Sequence, residues 1–127
     1  MLATRKWWQE SRPQYELFTS EVVLDEASAG DPQAASERLE ILATLHLLPI
    51  ADAVGDLAEL LLAKNALPPK ARVDAAHVAI SASSGIEYLL TWNCRHLANA
   101  TLRARIEQVC REFGFEPPII CTPFELM

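Results

Sequence analysis

The sequence predicts an α/β protein built on a parallel sheet that is covered on both faces. Three observations lead there. Segments with helical spacing alternate with short apolar runs along the chain. The strand candidates, Leu45 to Ile50, Tyr88 to Trp92 and Pro117 to Thr122, are continuously rather than alternately apolar. A continuous run marks a strand buried on both faces, whereas alternation marks one wet face. Finally, Gly30, Pro68-Pro69, Gly85 and Gly114 punctuate the chain between these segments, as turn and cap residues do.

Taken in order, Thr4 to about Phe18 reads as helical, with Ser11-Arg12-Pro13 breaking the run in two, because proline removes a donor and clashes with the preceding turn. A second helix starts at Ser20, carries Glu21, Asp25 and Glu26, and ends at Gly30. Asp31-Pro32 resembles an N-cap followed by proline at the first helical position, and the helix it starts presents Ala35, Leu39 and Leu42 on one side. Leu45-His46-Leu47-Leu48-Pro49-Ile50 is most simply a buried strand. Asp52 to Lys64 places Val54, Leu57, Ala58 and Leu61 at i, i+3, i+4 and i+7, an amphipathic helix with one buried face. Leu67-Pro68-Pro69 breaks the chain before a small-residue helix opened by Asp74 and stopped by Gly85. The strand Tyr88-Leu89-Leu90-Thr91-Trp92 follows and runs into Asn93-Cys94-Arg95-His96. A last helix, Thr101 to Phe113, turns Leu102, Ile106, Val109, Cys110 and Phe113 inward, is capped by Gly114, and leads to the final strand.

Size and composition narrow the function classes. At 127 residues the chain makes one domain with a real core and is too short for two. Half the residues are hydrophobic, which excludes an intrinsically disordered chain. No apolar run approaches the roughly 20 residues of a membrane span, and the N-terminus lacks the apolar region of a secretory signal. The cysteines, Cys94, Cys110 and Cys121, are odd in number and form no C-x-x-C pair, which argues for a reducing cytoplasm and against structural zinc. The formal net charge of −6 argues against sequence-independent binding of nucleic acid over a basic surface. Contact with a polyanion then needs a local basic cluster or a bound metal.

Ligands of parallel sheets bind beyond the carboxyl ends of the strands. Thr91 and Asn93 at such an end, fed by a helix that starts with Asp74, suggest a metal or phosphate site. Three segments in order resemble a PIN domain, specifically the VapC-type toxins of toxin–antitoxin pairs. Phe18-Thr19-Ser20-Glu21-Val22-Val23-Leu24-Asp25-Glu26 matches around the family's helix glutamate. Val73-Asp74-Ala75-Ala76-His77-Val78-Ala79 matches its helix-opening aspartate. Leu89-Leu90-Thr91-Trp92-Asn93-Cys94-Arg95-His96-Leu97 falls where the family has Thr and, two places on, Asp or Asn. The ending Cys121-Thr122-Pro123-Phe124-Glu125-Leu126 is also similar.

The resemblance implies a three-layer α/β/α sandwich and a metal-dependent endoribonuclease that hydrolyses RNA phosphodiesters with Mg²⁺ or Mn²⁺. It implies that Glu26 and Asp74 hold or orient the metal, that Asn93 offers a carbonyl oxygen or fixes a water, and that Thr91 positions its neighbours. It also implies a cytoplasmic protein with an RNA substrate, a cognate antitoxin partner and a tendency to homodimerise. Hard divalent cations choose carboxylate oxygens, so the chemistry is consistent.

The chain departs from the family at its start. PIN domains begin with a strand ending in a metal-binding aspartate, whereas Met1 here sits just before the first helix. Asp25 and Glu21 share the helix of Glu26 and do not replace that aspartate by position. The strand is interior in the family, so its loss leaves two rows of backbone groups to be satisfied. Three explanations are open: a natural chain that begins upstream, a strand lent by a second copy or partner, or a reduced sheet that closes the gap. A catalytically inactive PIN-like binding or regulatory module is accordingly the alternative function. An unrelated α/β protein whose acidic residues are helix caps is a third, in which Glu26, Asp74 and Asn93 do not converge in space.

Several residues carry two readings each. Asp74 is a helix cap or dipole partner unless the motif makes it a ligand. Asn93 is a turn former or a site residue. His77, one helical turn from Asp74, orients that carboxylate or is a satisfied, half-buried histidine. Trp7 and Trp8 stack bases or pack the first helix. Lys70, Arg72, Arg95, Arg103 and Arg105 bracket the site in sequence, or are ordinary surface charges, and His96 contacts phosphate or nothing. Cys94 has no basic partner in sequence and reads as an inert thiol.

Overall fold

The computed structural model describes residues 16–90 and 100–121. Among the described residues nine elements follow one another: β1 (Phe18–Thr19), α1 (Glu21–Ala27), α2 (Pro32–Leu42), β2 (His46–Leu47), α3 (Asp52–Ala63), α4 (Arg72–Ser83), β3 (Tyr88–Leu90), α5 (Ala100–Phe113) and β4 (Ile119–Cys121). The α/β class stands. Among the described residues the strands form two separate parallel pairs rather than one sheet, β1 with β2 and β3 with β4. Each pair is joined by helix, as parallel neighbours must be, α1 and α2 in the first case and α5 in the second.

β1 corrects the sequence reading, which ran a helix to about Phe18. Phe18 and Thr19 are aromatic and β-branched, both suited to a pleated surface, and they pair in register with His46 and Leu47. β2 corrects it again: it is two residues long and lies at the edge of its pair. His46 and Leu47 are exposed, so this apolar run is not a buried strand.

Local chemistry sets the helix ends. Ser20 caps α1 by accepting from the Val23 N–H at 3.3 Å, and Asp31 caps α2 by accepting from the Ala34 N–H at 3.0 Å, with Pro32 at the first helical position as its sequence predicts. α1 ends at Ala27, earlier than Gly30. Arg38 of α2 returns to that end and donates to the carbonyls of Ala27 and Ala29 at 2.8–3.2 Å, satisfying groups the helix leaves open. At the end of α4, Gly85 takes φ +69°, and the Gly85 and Ile86 N–H groups reach back to the Ala82 and Ser81 carbonyls. That is the left-handed Schellman closure for which glycine has no Cβ penalty. α4 begins at Arg72, two residues ahead of Asp74, so Asp74 lies within the first turn instead of opening the helix.

The core is mainly helix against helix. Val54, Leu57 and Leu61 of α3 meet Ala75, Val78, Ala79 and Ile80 of α4, with Ile106, Val109 and Cys110 of α5 and Ile120 of β4 completing the cluster. The α3 residues are the face the i, i+3, i+7 spacing predicts, and Leu57 and Leu61 are fully buried. Small residues on α4 let α3 approach closely. α1 also packs on α4, and that contact positions the candidate site.

Candidate functional site

α1 and α4 bring together two chain segments separated by fifty residues. Glu26 sits in the last turn of α1, and Asp74 and His77 lie one turn apart in the first half of α4. Residues at i and i+3 share a helix face, with Cβ atoms about 5–6 Å apart. Nε2 of His77 meets Oε1 of Glu26 at 2.5 Å. The His77 side chain is 13% exposed and that of Glu26 55%, so the imidazole is nearly enclosed while the carboxylate keeps contact with water. His77 is thus a satisfied, half-buried histidine. Its Nε2 engages Glu26, across the helix interface, a partner that spacing along α4 could not reveal.

Asp74 is half-buried and has an interaction of its own. Near the N-terminus of α4 its charge is also favoured by the helix dipole. Asp74 thus lies one helical turn from the residue that Glu26 meets, and the three side chains do not form a metal-holding group. Thr91 and Asn93 lie outside the described residues, as do Trp7, Trp8, Cys94, Arg95 and His96.

A cleft of about 700 Å³ opens beside His77. One wall is the β1 segment with Leu17, Phe18 and Thr19, and the other is β3 with Tyr88, Leu89 and Leu90. Ile80 and Ser81 of α4 also line it, together with His77, which places the histidine between the cleft and Glu26. The cleft escapes sequence reading because its lining comes from segments some seventy positions apart, Leu17 to Ser20 and Glu87 to Leu90 among them.

Three of the basic residues that bracket the site in sequence, Arg72, Arg103 and Arg105, are engaged elsewhere, and Arg95 lies outside the described residues. Arg72 pairs with Glu59 at 3.4 Å, both largely exposed, an arrangement of little energetic weight. Arg103 donates to the Ile120 carbonyl at 3.0 Å and Arg105 to the Asn65 carbonyl at 3.5 Å. None of the three, nor Lys70, lines the cleft.

Glu26 and Asp74 offer hard oxygen donors of the kind Mg²⁺ takes, and Mg²⁺ needs only one or two of them while it keeps several waters. The donors fit that ion in kind. Among the described residues no group of three or more His, Cys, Asp and Glu side chains could hold a metal, so this pair does not make a protein cage by itself. Among the described residues no helix is long and apolar enough to cross a membrane. Comparison of the chain with protein-family models, with curated proteins and with solved structures gives no match.

Proposed function

We propose that this chain is a PIN-like, metal-dependent endoribonuclease of the VapC toxin type, acting on RNA phosphodiesters, whose metal site is only partly built from the described residues. The supporting observation is the Glu26–His77 contact, which sets the family-like glutamate of α1 against the helix turn that carries Asp74. Two of the ordered acidic segments thus belong to helices that pack on each other, which supports the reading.

In this reading Glu26 and Asp74 hold a Mg²⁺ or Mn²⁺ ion, directly or through water. When bound, such an ion polarises a phosphate and lowers the pKa of an attacking water. His77 fixes the side chain of Glu26 and so the position of its second oxygen. Asn93 and Thr91 contribute beyond the described residues, Asn93 with a carbonyl oxygen or a held water and Thr91 by positioning. RNA is the substrate, and an antitoxin protein and a second copy of the chain are the partners that the reading brings with it.

A second reading has its own observation. Glu26 already has a near, well-directed partner in His77, and a carboxylate so engaged suits a non-catalytic PIN-like binding module. Incubating the purified chain with mixed single-stranded RNA and Mn²⁺, beside Asp74→Ala, separates the two. Cleavage that needs Mn²⁺ and disappears in the variant supports the nuclease. Intact RNA, together with no Mn²⁺-induced rise in melting temperature, supports the binding module.

A further inference from the structure

We propose that Arg38 is a positioning residue for the candidate site: its guanidinium closes the carboxyl end of α1 and so holds Glu26 in place opposite His77. Arg38 thereby deepens the ribonuclease reading, on which the use made of Glu26 rests; the contacts themselves involve no metal.

α1 has little else to hold it. It is seven residues long and only Ala27 among them is buried, with Val22 packed partly against the core. So short a helix is not stable by itself in water, and its place depends on the contacts at its ends and sides. Ser20 caps its start. At the other end the last four carbonyls lack partners within the helix. The Leu24 carbonyl accepts from the Ser28 N–H at 3.0 Å and the Glu26 carbonyl from the Ala29 N–H at 3.2 Å. The Asp25 carbonyl accepts from the Ser28 hydroxyl at 2.7 Å. That leaves the carbonyl of Ala27, the buried residue. Arg38 supplies it with two donors, Nε at 3.2 Å and Nη2 at 3.0 Å, and Nη2 also donates to the Ala29 carbonyl at 2.8 Å, in the turn that leads to α2.

Charge and shape both favour arginine there. α1 has no basic residue in its last turn, whose carbonyls form the negative end of the helix dipole. Arg38, on α2, brings that cation from outside. A guanidinium presents its donors in a rigid fork, so one side chain binds both carbonyls at once, whereas an ammonium keeps the charge and loses the fork.

The clamp lies one residue from Glu26. Holding the Ala27 and Ala29 carbonyls fixes the last turn of α1, and with it the direction in which the Glu26 side chain leaves the helix. His77 fixes the far end of the same side chain through Oε1. A glutamate has much rotamer freedom to lose. Held at backbone and carboxylate alike, Glu26 presents its second oxygen from one place.

The test reads the ring nitrogens of His77 by NMR at fixed pH without metal, in the natural chain and in Arg38→Lys, Glu26→Gln and Ser20→Ala. Glu26→Gln supplies the signature of a His77 that has lost the carboxylate. The proposal expects Arg38→Lys to move the ring signals at least half of the way to that signature. Ser20→Ala, which weakens the opposite end of the same helix, should leave them in place. Ring signals of Arg38→Lys that match the natural chain overturn it. So does an equal shift in Ser20→Ala, which would make the effect a general loosening of α1. Coupling is reciprocal, so a second measurement needs no change at position 38. The Arg38 Nε–H should exchange with solvent several-fold faster in Glu26→Gln than in the natural chain, and unchanged exchange overturns the proposal whether or not Arg38→Lys folds. Metal enters in a separate titration. The Mn²⁺ concentration that broadens the His77 signals should rise several-fold in Arg38→Lys. A natural chain that ignores Mn²⁺ removes the ribonuclease reading, and the metal-free signals then decide the role of Arg38 by themselves.

Discussion

His77 on α4 and Glu26 on α1 meet through Nε2 and Oε1 at 2.5 Å across 51 positions of sequence, a side-chain contact that joins those two helices. Glu26 is more than half exposed, so water compensates part of what the pair contributes. A double-mutant cycle of Glu26→Gln and His77→Ala should return a coupling of about 1 kcal/mol, near the usual net value of a hydrogen bond. Urea denaturation of the four proteins measures it. A coupling of zero would mean that the α1–α4 contact stands on its apolar residues alone.

The same contact yields a prediction about metal. His77 holds Oε1 of Glu26 and so orients its second oxygen for a cation, and His77→Ala should reduce the rise in melting temperature caused by millimolar Mn²⁺. Asp74→Ala should shrink it, in the His77→Ala background too. Thermal unfolding with and without Mn²⁺ reads both effects. A response that ignores Asp74 would remove that carboxylate from the proposed site.

What could be read in the sequence was mostly local. The helix of Val54, Leu57 and Leu61 and the helix of Ile106, Val109 and Cys110 were legible because their apolar spacing is a property of the helix itself. β1 was not, because Phe18 and Thr19 are a strand only by virtue of pairing with His46 and Leu47, which are far along the chain. The split into two strand pairs was hidden for the same reason. Of the candidate site, the order of the motifs singled out Glu26 and Asp74, and the structure places them on α1 and α4, which pack together. The partner of His77 was not, since helical spacing points to Asp74 and only packing brings Glu26 to the ring.

Gly85 offers a test of conformation without packing. Its φ is +69°, and a Cβ built there meets nothing within 4 Å, so substitution incurs backbone strain and no clash. Gly85→Ala should therefore destabilise the fold by about 1–2 kcal/mol, the left-handed penalty for an L-residue, and Gly85→Asn by less. Chemical denaturation should show both with unchanged m-values. A neutral Ala variant would mean that the α4 terminus relaxes out of the Schellman closure at no cost.

The α3 face should be intolerant in proportion to its burial. Leu61 is fully buried in the core cluster, whereas Leu47 is 52% exposed on β2. Leu61→Ala should cost about 2–5 kcal/mol, a large share of the stability of a domain this size. Leu47→Ala should cost well under 1 kcal/mol, as surface changes usually do. Comparable losses at the two sites would place an unseen contact on β2.

Cys110 gives the chain an alkaline limit. It is fully enclosed among α3, α4 and α5, and burial pushes its thiol up to about 11 from an ordinary 9.0, with Arg111 opposing the rise and Glu107 adding to it. Between those values the unfolded chain has released the thiol proton and the folded chain still holds it. The unfolded state then binds fewer protons, so stability falls as pH rises through the window from 9.0 to about 11, by about 3 kcal/mol in all. Below 9.0 both states are protonated and the group adds no slope. Cys110→Ala should flatten this part of the stability–pH curve while lowering stability uniformly, because it also leaves a small void. In the natural chain at pH 8, a thiol reagent should modify Cys110 only as fast as the protein opens, since a buried, protonated thiol is a poor nucleophile. Fast modification under native conditions would contradict both the enclosure of Cys110 and the origin of its shift.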